Sequence, residues 1–425
     1  MSTLEPLKFL APEEVPVLAA SYGTPVFVYD VETAKNNYCY FSSIPNAYGL
    51  TVRYSIKANP NRAVLQLFNR LGAHFDASSV WEAQRAVDVG IAPGRILLTS
   101  QEISEGWKEL CRAGMEFDAG SLSQLAMFGQ AFPGSDVSIR FNPGFGSGLV
   151  KKLTSGGSHS SFGTWHELAD DAAALAERHG LRVRRLHFHI GSGHETTVLE
   201  RTVSKALEFC RKMPSVEILN LGGGYRVAAM AGDPQYDHHA MGARIAGQLE
   251  RFETETGRRL KLELEPGNYM MALAGSLITR VIDLVDTGDD GFRFAKIDGG
   301  LTELIRPSYY GALHPLVAVS ARGEIRSGSE SYMVSGHCCI AGDSLTPVPG
   351  HGEDFTPQRL SRVEIGDFIV VERTGGYAAS MCLKNFNSYP DAPEVFRIEA
   401  NRYALVRKRQ DLSQITQNEI DVIIE

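Results

Sequence analysis

Residues 52–79 read VRYSIKANPNRAVLQLFNRLGAHFDASS, and one structural period is complete within them. A β-type run (VRYSIKA) is followed by apolar residues at Val64, Leu67, Phe68 and Leu71, the i, i+3, i+4, i+7 spacing of one helix face. Gly72 then stops the helix, and a second β-type run opens at Ala73. Such runs begin at Val52, Ala73, Arg95, Met115 and Asp136, at intervals of 21, 22, 20 and 21 residues. Three more follow: RRLHFHIGS from Arg184, VEILNLGGG from Val216 and KLELEPG from Lys261. Each interval has room for a strand, a short helix and two turns. Ile103, Trp107, Leu110 and Cys111 predict a helix that ends before Gly114. Thr164 with Glu167 predicts a capping box for another, carrying Trp165, Leu168, Ala172 and Leu175 towards Gly180. Eight alternating β and α units predict a closed parallel (β/α)8 TIM barrel over residues 31–275.

Outside that range the texture changes. TRVIDLVDTG, FRFAKIDGG, SYMVSGHC and VEIGDFIVVERTGGY are β-type runs with no helical pattern between them, which predicts an all-β domain over residues 276–425. The early run TPVFVYD, from Thr24, precedes the first barrel strand by a helical stretch. It is expected to complete that domain, so that residues 1–30 and 276–425 flank an inserted barrel. The Gly/Ser-rich stretch from Asn142 to Gly163 is too long for a plain connector and reads as a lid or binding loop.

With 43% apolar and 22% charged residues in a chain of 425, a substantial core is available, and disordered or fibrous architectures are excluded. The formal charge of -8 argues against a nucleic-acid partner, because phosphate backbones need a concentrated basic surface. The one basic cluster, Arg182, Arg184 and Arg185, reads as a solvated rim. No apolar run approaches the roughly 18 residues of a membrane span, and the first twenty residues lack a basic start followed by an apolar stretch. No membrane partner and a cytoplasmic location are therefore expected. Six cysteines without a CxxC pattern are expected to be reduced thiols.

Barrel enzymes place their chemistry at the C-terminal ends of the strands. Here those ends offer Lys57; Asp76 and Ser78; Ser100; Asp118 and Ser121; Asn142; His189 and Ser192; Gly222, Gly223 and Gly224; and Glu265 with Gly267. A strand end should bury Lys57, lowering its amine pKa and making it nucleophilic; a solvent-facing lysine opening a loop is the competing reading. The three glycines would let backbone N–H groups approach a phosphate, although a tight turn also wants glycine. Glu265 ends an otherwise apolar strand, which is costly unless it faces a cation such as a protonated pyridine nitrogen. Together with His189 as a flat neighbour for the ring, these residues describe a pyridoxal 5'-phosphate site suited to decarboxylation or racemisation.

A metal reading would use His187, His189 and His194, with His238 and His239 as outliers, but no carboxylate or cysteine stands at ligand spacing. No metal is expected. A dinucleotide reading fails because no GxGxxG follows a strand and opens a helix.

The motifs FVYD, YSIKANP, FDASS, NPG, HFHIGSG, NLGGGY, EPG, IRPSYYGA, GHCC with GD, and GGYAASM with KNFNS run from Thr24's strand to Pro390. In them the chain resembles the fold-type III pyridoxal phosphate decarboxylases, which act on diaminopimelate, ornithine or arginine, and it looks most like the diaminopimelate decarboxylases. The resemblance implies the alanine racemase-like barrel with its β-domain, and a head-to-tail homodimer with shared active sites. It implies that Lys57 binds the cofactor and His189 stacks on it, while Gly222–Gly224 and the backbone around Gly267 hold its phosphate. Glu265 faces the ring nitrogen, Asp76, Ser78 and Ser192 support the cofactor, and Tyr377 reaches the phosphate from the partner subunit. Arg306 and Tyr310 match residues that bind a substrate carboxylate, and Cys339 matches the acid that protonates Cα after carbon dioxide leaves. Cys338 keeps the plain reading of a small buried residue.

Two positions depart from the family pattern. Where diaminopimelate decarboxylases read CESGD, this chain has Cys339-Ile340-Ala341-Gly342-Asp343, without the glutamate that binds the distal amine of the substrate. Where they read EPGR, it has Glu265-Pro266-Gly267-Asn268, without the arginine. Lys151, Lys152 and Glu303 are candidates to compensate. The expectation is an amino-acid decarboxylase converting meso-diaminopimelate to L-lysine; a decarboxylase of another amino acid, with Ile340 lining a less polar distal pocket, is the alternative. A racemase is disfavoured because racemases of this fold type set an arginine against the ring nitrogen, and a non-catalytic homologue remains as a third class.

Overall fold

The computed structural model of the chain describes residues 4–193 and 195–424. They form two compact units, one within residues 35–227 and 235–270, the other within residues 4–34, 228–234 and 271–424. The first strand, β1 (Val26–Asp30), belongs to the second unit.

The first unit is the barrel. Its strands are β2 (Leu50–Ser55), β3 (His74–Ala77), β4 (Ile96–Leu98), β5 (Glu116–Ala119), β6 (Asp136–Asn142), β8 (Arg182–His187), β9 (Ile218–Asn220) and β10 (Lys261–Leu264), with a two-residue β7 (Thr164–Trp165) beside β6. Hydrogen-bonded order runs β5-β4-β3-β2-β10-β9-β8-β6, and β5 pairs with β6 to close the ring. All eight predicted strands are present and parallel. Their burial is near-continuous rather than alternating, as expected where both faces are covered. The helix Arg62–Leu71 shows how local signals fix the connections. Asn61 Oδ1 accepts from Ala63 N–H at its start, Gly72 at φ +92° closes its end, and Val64, Leu65 and Phe68 are buried.

Three expectations need correction. The helix predicted from Ile103 spans only Trp107–Arg112, because Gly106 at φ +86° turns the chain immediately before it. Thr164 caps nothing: its backbone pairs with Phe141 in β7, and the helix begins at Ala169 after a short turn. The long loop returns onto β6 at this point, which takes Thr164 for the ladder. Arg185 is not on a solvated rim. Arg182 and Arg184 do face solvent and pair with Asp136 and Glu217, but Arg185 has the strand parity of His187 and turns into the barrel. There Arg185 and Arg53 share Glu263 and Glu116 at 2.6–3.0 Å. Burial disfavours the Glu263 carboxylate, but the two guanidiniums win and hold its pKa down at about 2.

The second unit is the β-domain. Its strands are β11 (Gly275–Asp286), β12 (Arg293–Ile297), β13 (Leu316–Val319), β14 (Glu330–Ser335), β17 (Gln358–Leu360), β18 (Phe368–Glu372), β19 (Glu394–Glu399) and β20 (Arg402–Arg407), plus a separate hairpin of β15 (Pro347–Val348) and β16 (His351–Phe355). β1 pairs antiparallel with β11 and parallel with β19, so the N-terminal strand does complete this sheet. Val15, Leu18, Val26, Val28, Ile278, Val317, Phe368, Val370 and Val395 form its core. Burying such side chains stabilises by roughly 1.5–3 kcal/mol each. Among the described residues no helix is long and apolar enough to cross a membrane.

Candidate active site

Lys57 lies just beyond β2, in a short 3-10 turn of Ile56–Ala58. That turn buries Ile56 and Ala58 and leaves the Lys57 side chain 46% exposed, which corrects the expectation that a strand end would bury it. Its Nζ donates to Asp76 Oδ2 at 3.2 Å and to Ser78 Oγ at 2.9 Å. Asp76 is fully buried. Burial pushes its carboxyl pKa up, but Lys57 and then His187 outweigh burial and hold it below the ordinary range.

Behind the lysine lies a buried polar cluster contributed by five strand ends. Glu265 Oε1 accepts from Asn220 Nδ2 at 2.7 Å, and Asn220 Oδ1 accepts from Gly222 N–H at 2.8 Å. Burial raises the Glu265 pKa, and the nearby Asp76 raises it further. His187 stands between two acids, with Nδ1 2.8 Å from Asp118 Oδ2 and Nε2 3.7 Å from Glu265 Oε2. Arg140, also buried, faces Asp118, Glu265 and Asp76 and lies over the Phe162 ring at 4.9 Å.

The glycine cradle tests whether a phosphate-bearing ring fits. Gly222 has φ +65°, and a Cβ there would lie 2.5 Å from His189 Nδ1; on Gly223 it would lie 2.3 Å from the Glu265 carbonyl oxygen. Only bare backbone passes here. Gly223 N–H donates to His189 Nδ1 at 3.1 Å, and Gly193 N–H to the Gly224 carbonyl at 2.7 Å. Gly267 N–H donates to the Glu265 carbonyl, and a Cβ on Gly267 would lie 2.7 Å from Ser55 Cβ. An amine, a buried acid, an imidazole and a bare-backbone cradle on one barrel end fit pyridoxal phosphate. Ser192 is fastened by its backbone to the long loop, donating to Leu153 and accepting from Leu149. Asn268 follows Gly267 in a short helix, Gly267–Met271.

The remaining candidates lie in the β-domain. Arg306 opens the helix Arg306–Tyr310 and is 8% exposed; its Cζ lies 5.8 Å from the Tyr310 ring centre and 6.0 Å from that of Tyr377. Tyr377 has φ +56°, an uncommon backbone conformation for a tyrosine. Cys339 is exposed, and its N–H donates to Asn387 Oδ1 at 2.8 Å. Cys338 is buried and its N–H donates to Asp343 Oδ2, which also fixes the turn; burial raises the Cys338 thiol pKa to about 12. Ile340, the next residue after Cys339, is half exposed. Glu303 is occupied, accepting from Gly300 N–H and Thr302 Oγ, and burial raises its pKa to about 7. Lys151 and Lys152 are exposed.

The barrel unit therefore gathers Lys57, Asp76, Ser78, His189, Gly222–Gly224, Glu265 and Gly267, and the β-domain gathers Arg306, Tyr310 and Tyr377. Sequence reasoning missed Arg140 and Asn220, whose only signal was polarity on otherwise apolar strands, and considered His187 only as a metal ligand. Among the described residues no three His, Cys, Asp or Glu side chains are grouped to hold a metal ion. His194 lies outside the described residues. His238 packs against Phe41, Tyr225 and Tyr269, and His239 against Tyr40.

Comparison with known proteins shows the family. Residues 40–272 match the pyridoxal-dependent decarboxylases, pyridoxal binding domain. A diaminopimelate decarboxylase of Streptomyces coelicolor is 33% identical over 95% of this chain and 91% of its own length, and one of Escherichia coli K12 is 31% identical over 96% of each. A crystal structure of a diaminopimelate decarboxylase superposes with a TM-score of 0.89 at 30% identity, covering 96% of both chains. One from Helicobacter pylori, complexed with L-lysine, shares the fold with a TM-score of 0.83 at 24% identity, covering 95% of this chain and 98% of its own.

Proposed function

We propose that this chain, which belongs to the pyridoxal-dependent decarboxylases, removes one carboxylate of meso-diaminopimelate to give L-lysine and carbon dioxide. The observation that carries this reading is Arg306, a buried guanidinium that faces two tyrosine rings and makes no ion pair among the described residues. A buried cation without counter-charge is costly, and an arriving carboxylate relieves the cost. A dicarboxylic amino acid brings one carboxylate for the reaction and a second for Arg306 and Tyr310.

Pyridoxal 5'-phosphate, bound in the barrel, supplies a sink for the electron pair left on Cα as carbon dioxide departs. Lys57 would anchor it through Nζ, which Asp76 and Ser78 hold. Glu265 would face the ring nitrogen, and His189 would cover one face of the ring. The bare backbone of Gly222–Gly224 and around Gly267 would hold the phosphate, with Ser192 beside it. Cys339 returns a proton to Cα: its Sγ–H bond breaks as the Cα–H bond forms. Cys339 and Tyr377 are contributed across a head-to-tail homodimer, Asn268 and Ile340 line the substrate side, and the enzyme works in the cytoplasm.

The half-exposed Ile340, apolar and adjacent to Cys339, favours a second reading in which another amino acid is the substrate. Carbon dioxide release decides between them, measured on purified, cofactor-loaded protein with meso-diaminopimelate beside D- and L-lysine, ornithine and arginine. Turnover of diaminopimelate alone, with L-lysine as product, supports the first reading. Turnover only of another amino acid replaces it with the second, and no turnover of any leaves a non-catalytic homologue.

A further inference from the structure

His187 is absorbed by none of the roles above, yet it is one of the most completely buried polar side chains of the barrel, 1% exposed between two carboxylates. Its Nδ1, 2.8 Å from Asp118 Oδ2, is placed to donate, which fixes the ring and turns Nε2 towards Glu265 Oε2 at 3.7 Å. Closing that gap to hydrogen-bond length takes a shift of about 1 Å. We propose that His187, oriented by Asp118, is a positioning residue that carries the proton of the Glu265–His187 pair and so keeps Glu265 a carboxylate. The inference rests on the reading of this barrel end as a pyridoxal phosphate site, since a carboxylate there is what a protonated ring nitrogen requires.

Charge balance supports it. Among the described residues the charged groups facing this pocket are the acids Asp76, Asp118 and Glu265 and the cations Lys57 and Arg140; Asn220 donates to Glu265, and the buried Tyr225 hydroxyl is a further titratable group beside it. Three carboxylates against two cations call for one further proton in this buried place, shared by the Glu265–His187 pair, and the Asp118 carboxylate 2.8 Å from Nδ1 favours seating it on the imidazole. Burial and Asp76 favour a protonated Glu265, and His187 and Lys57 oppose them. In the proton step the Glu265 O–H bond breaks and the His187 Nε2–H bond forms, while Asp118 Oδ2 keeps accepting from Nδ1–H. His187 acts on the cofactor only through Glu265.

The test is nitrogen NMR of histidine-labelled protein at neutral pH, with and without pyridoxal phosphate, the His187 signals being identified by their loss in His187→Gln. Both ring nitrogens should be protonated in either form. An unprotonated Nε2 in the cofactor-free wild type overturns the proposal on its own. A wild type that takes up no pyridoxal phosphate would instead sink the cofactor reading. His187→Gln should also weaken pyridoxal phosphate binding by about tenfold in equilibrium dialysis, the scale of one charge-assisted contact. Unchanged binding in that variant, with its fold intact by circular dichroism, counts against the pair. Asp118→Asn keeps an oxygen for Nδ1–H and removes only the charge, so its loss should be smaller.

Discussion

Ser79 and Ser121 hold the same backbone conformation, φ -158° and ψ 162° in one, φ -158° and ψ 163° in the other. Each accepts a hydrogen bond from the backbone three residues on, Ser79 from Glu82 N–H at 3.1 Å and Ser121 from Gln124 N–H at 3.2 Å. In return Glu82 accepts from Ser78 N–H and Gln124 from Gly120 N–H. The corners after β3 and β5 are thus copies of one serine N-cap turn, spelled FDASS and FDAGS in the chain. They set Asp76 and Asp118 at matching positions, one reaching Lys57 and the other His187.

Alanine at either serine should cost about 1 kcal/mol of stability, the usual worth of such a cap. The two variants should nevertheless part in cofactor binding. Ser79→Ala loosens the turn that carries Ser78 Oγ against Lys57 Nζ, whereas Ser121→Ala loosens the turn held by Gly120 N–H on Gln124. Urea unfolding and equilibrium dialysis against pyridoxal phosphate would show it; equal effects on binding would refute the distinction.

Gly223→Ala should abolish or strongly weaken cofactor binding, by tenfold or more on the usual scale of displaced polar contacts. The added Cβ meets the Glu265 carbonyl oxygen at 2.3 Å, a backbone atom that has no rotamer to escape into. Gly232→Ala is the control, because nothing lies within 4 Å of its added Cβ. A Gly223→Ala protein with wild-type affinity for pyridoxal phosphate would show that the cradle tolerates a side chain.

The parts of this architecture that are legible in the sequence are the local ones. Val64, Leu67, Phe68 and Gly72 declare their helix without help from distant residues, and so do the strand starts at Val52 and Ala73. What stayed hidden depends on partners far along the chain. Arg185 reads as one of three exposed arginines until the ring closes and brings Glu116 and Glu263 to it, 69 and 78 positions away. The pairing of His187 with Asp118 is equally invisible, since it joins side chains 69 residues apart. Lys57 escapes the strand pattern for a subtler reason: one 3-10 turn rotates it out of the strand's alternation.

Glu372 should make the β-domain less stable as the pH rises. It is fully buried, accepts from Ser276 Oγ at 2.6 Å and Lys8 N–H at 3.1 Å, and burial raises its pKa to about 7. A pKa raised on folding gives stability that is complete below the unfolded value of 4.5 and is lost as pH climbs through about 7. The span corresponds to about 3 kcal/mol. Glu372→Gln has no charge to bury, so relative to the wild type it should gain stability between pH 5 and pH 8. Parallel urea midpoints for the two proteins across that range would contradict the assignment; Glu303, raised for the same reason, contributes a similar slope to both.

Ile340→Glu should improve the use of meso-diaminopimelate through KM rather than kcat. The side chain is half exposed and the backbone N–H of Ile340 is already fixed to the Cys338 carbonyl at 2.7 Å, so a carboxylate can be placed there without rebuilding the turn. It would restore the acid that diaminopimelate decarboxylases present to the distal ammonium, a charge-assisted contact worth roughly 1.5–3 kcal/mol, or about tenfold or more in KM. Because the distal ammonium is remote from the bond that breaks, the contact is made equally in the bound substrate and at the transition state, and kcat should hardly move. Steady-state kinetics with meso-diaminopimelate and with L-lysine as competing ligand would check this. A variant with unchanged KM would mean that the distal ammonium is recognised elsewhere, and one that loses kcat would mean that Ile340 instead shields the Cys339 thiol from a neighbouring charge.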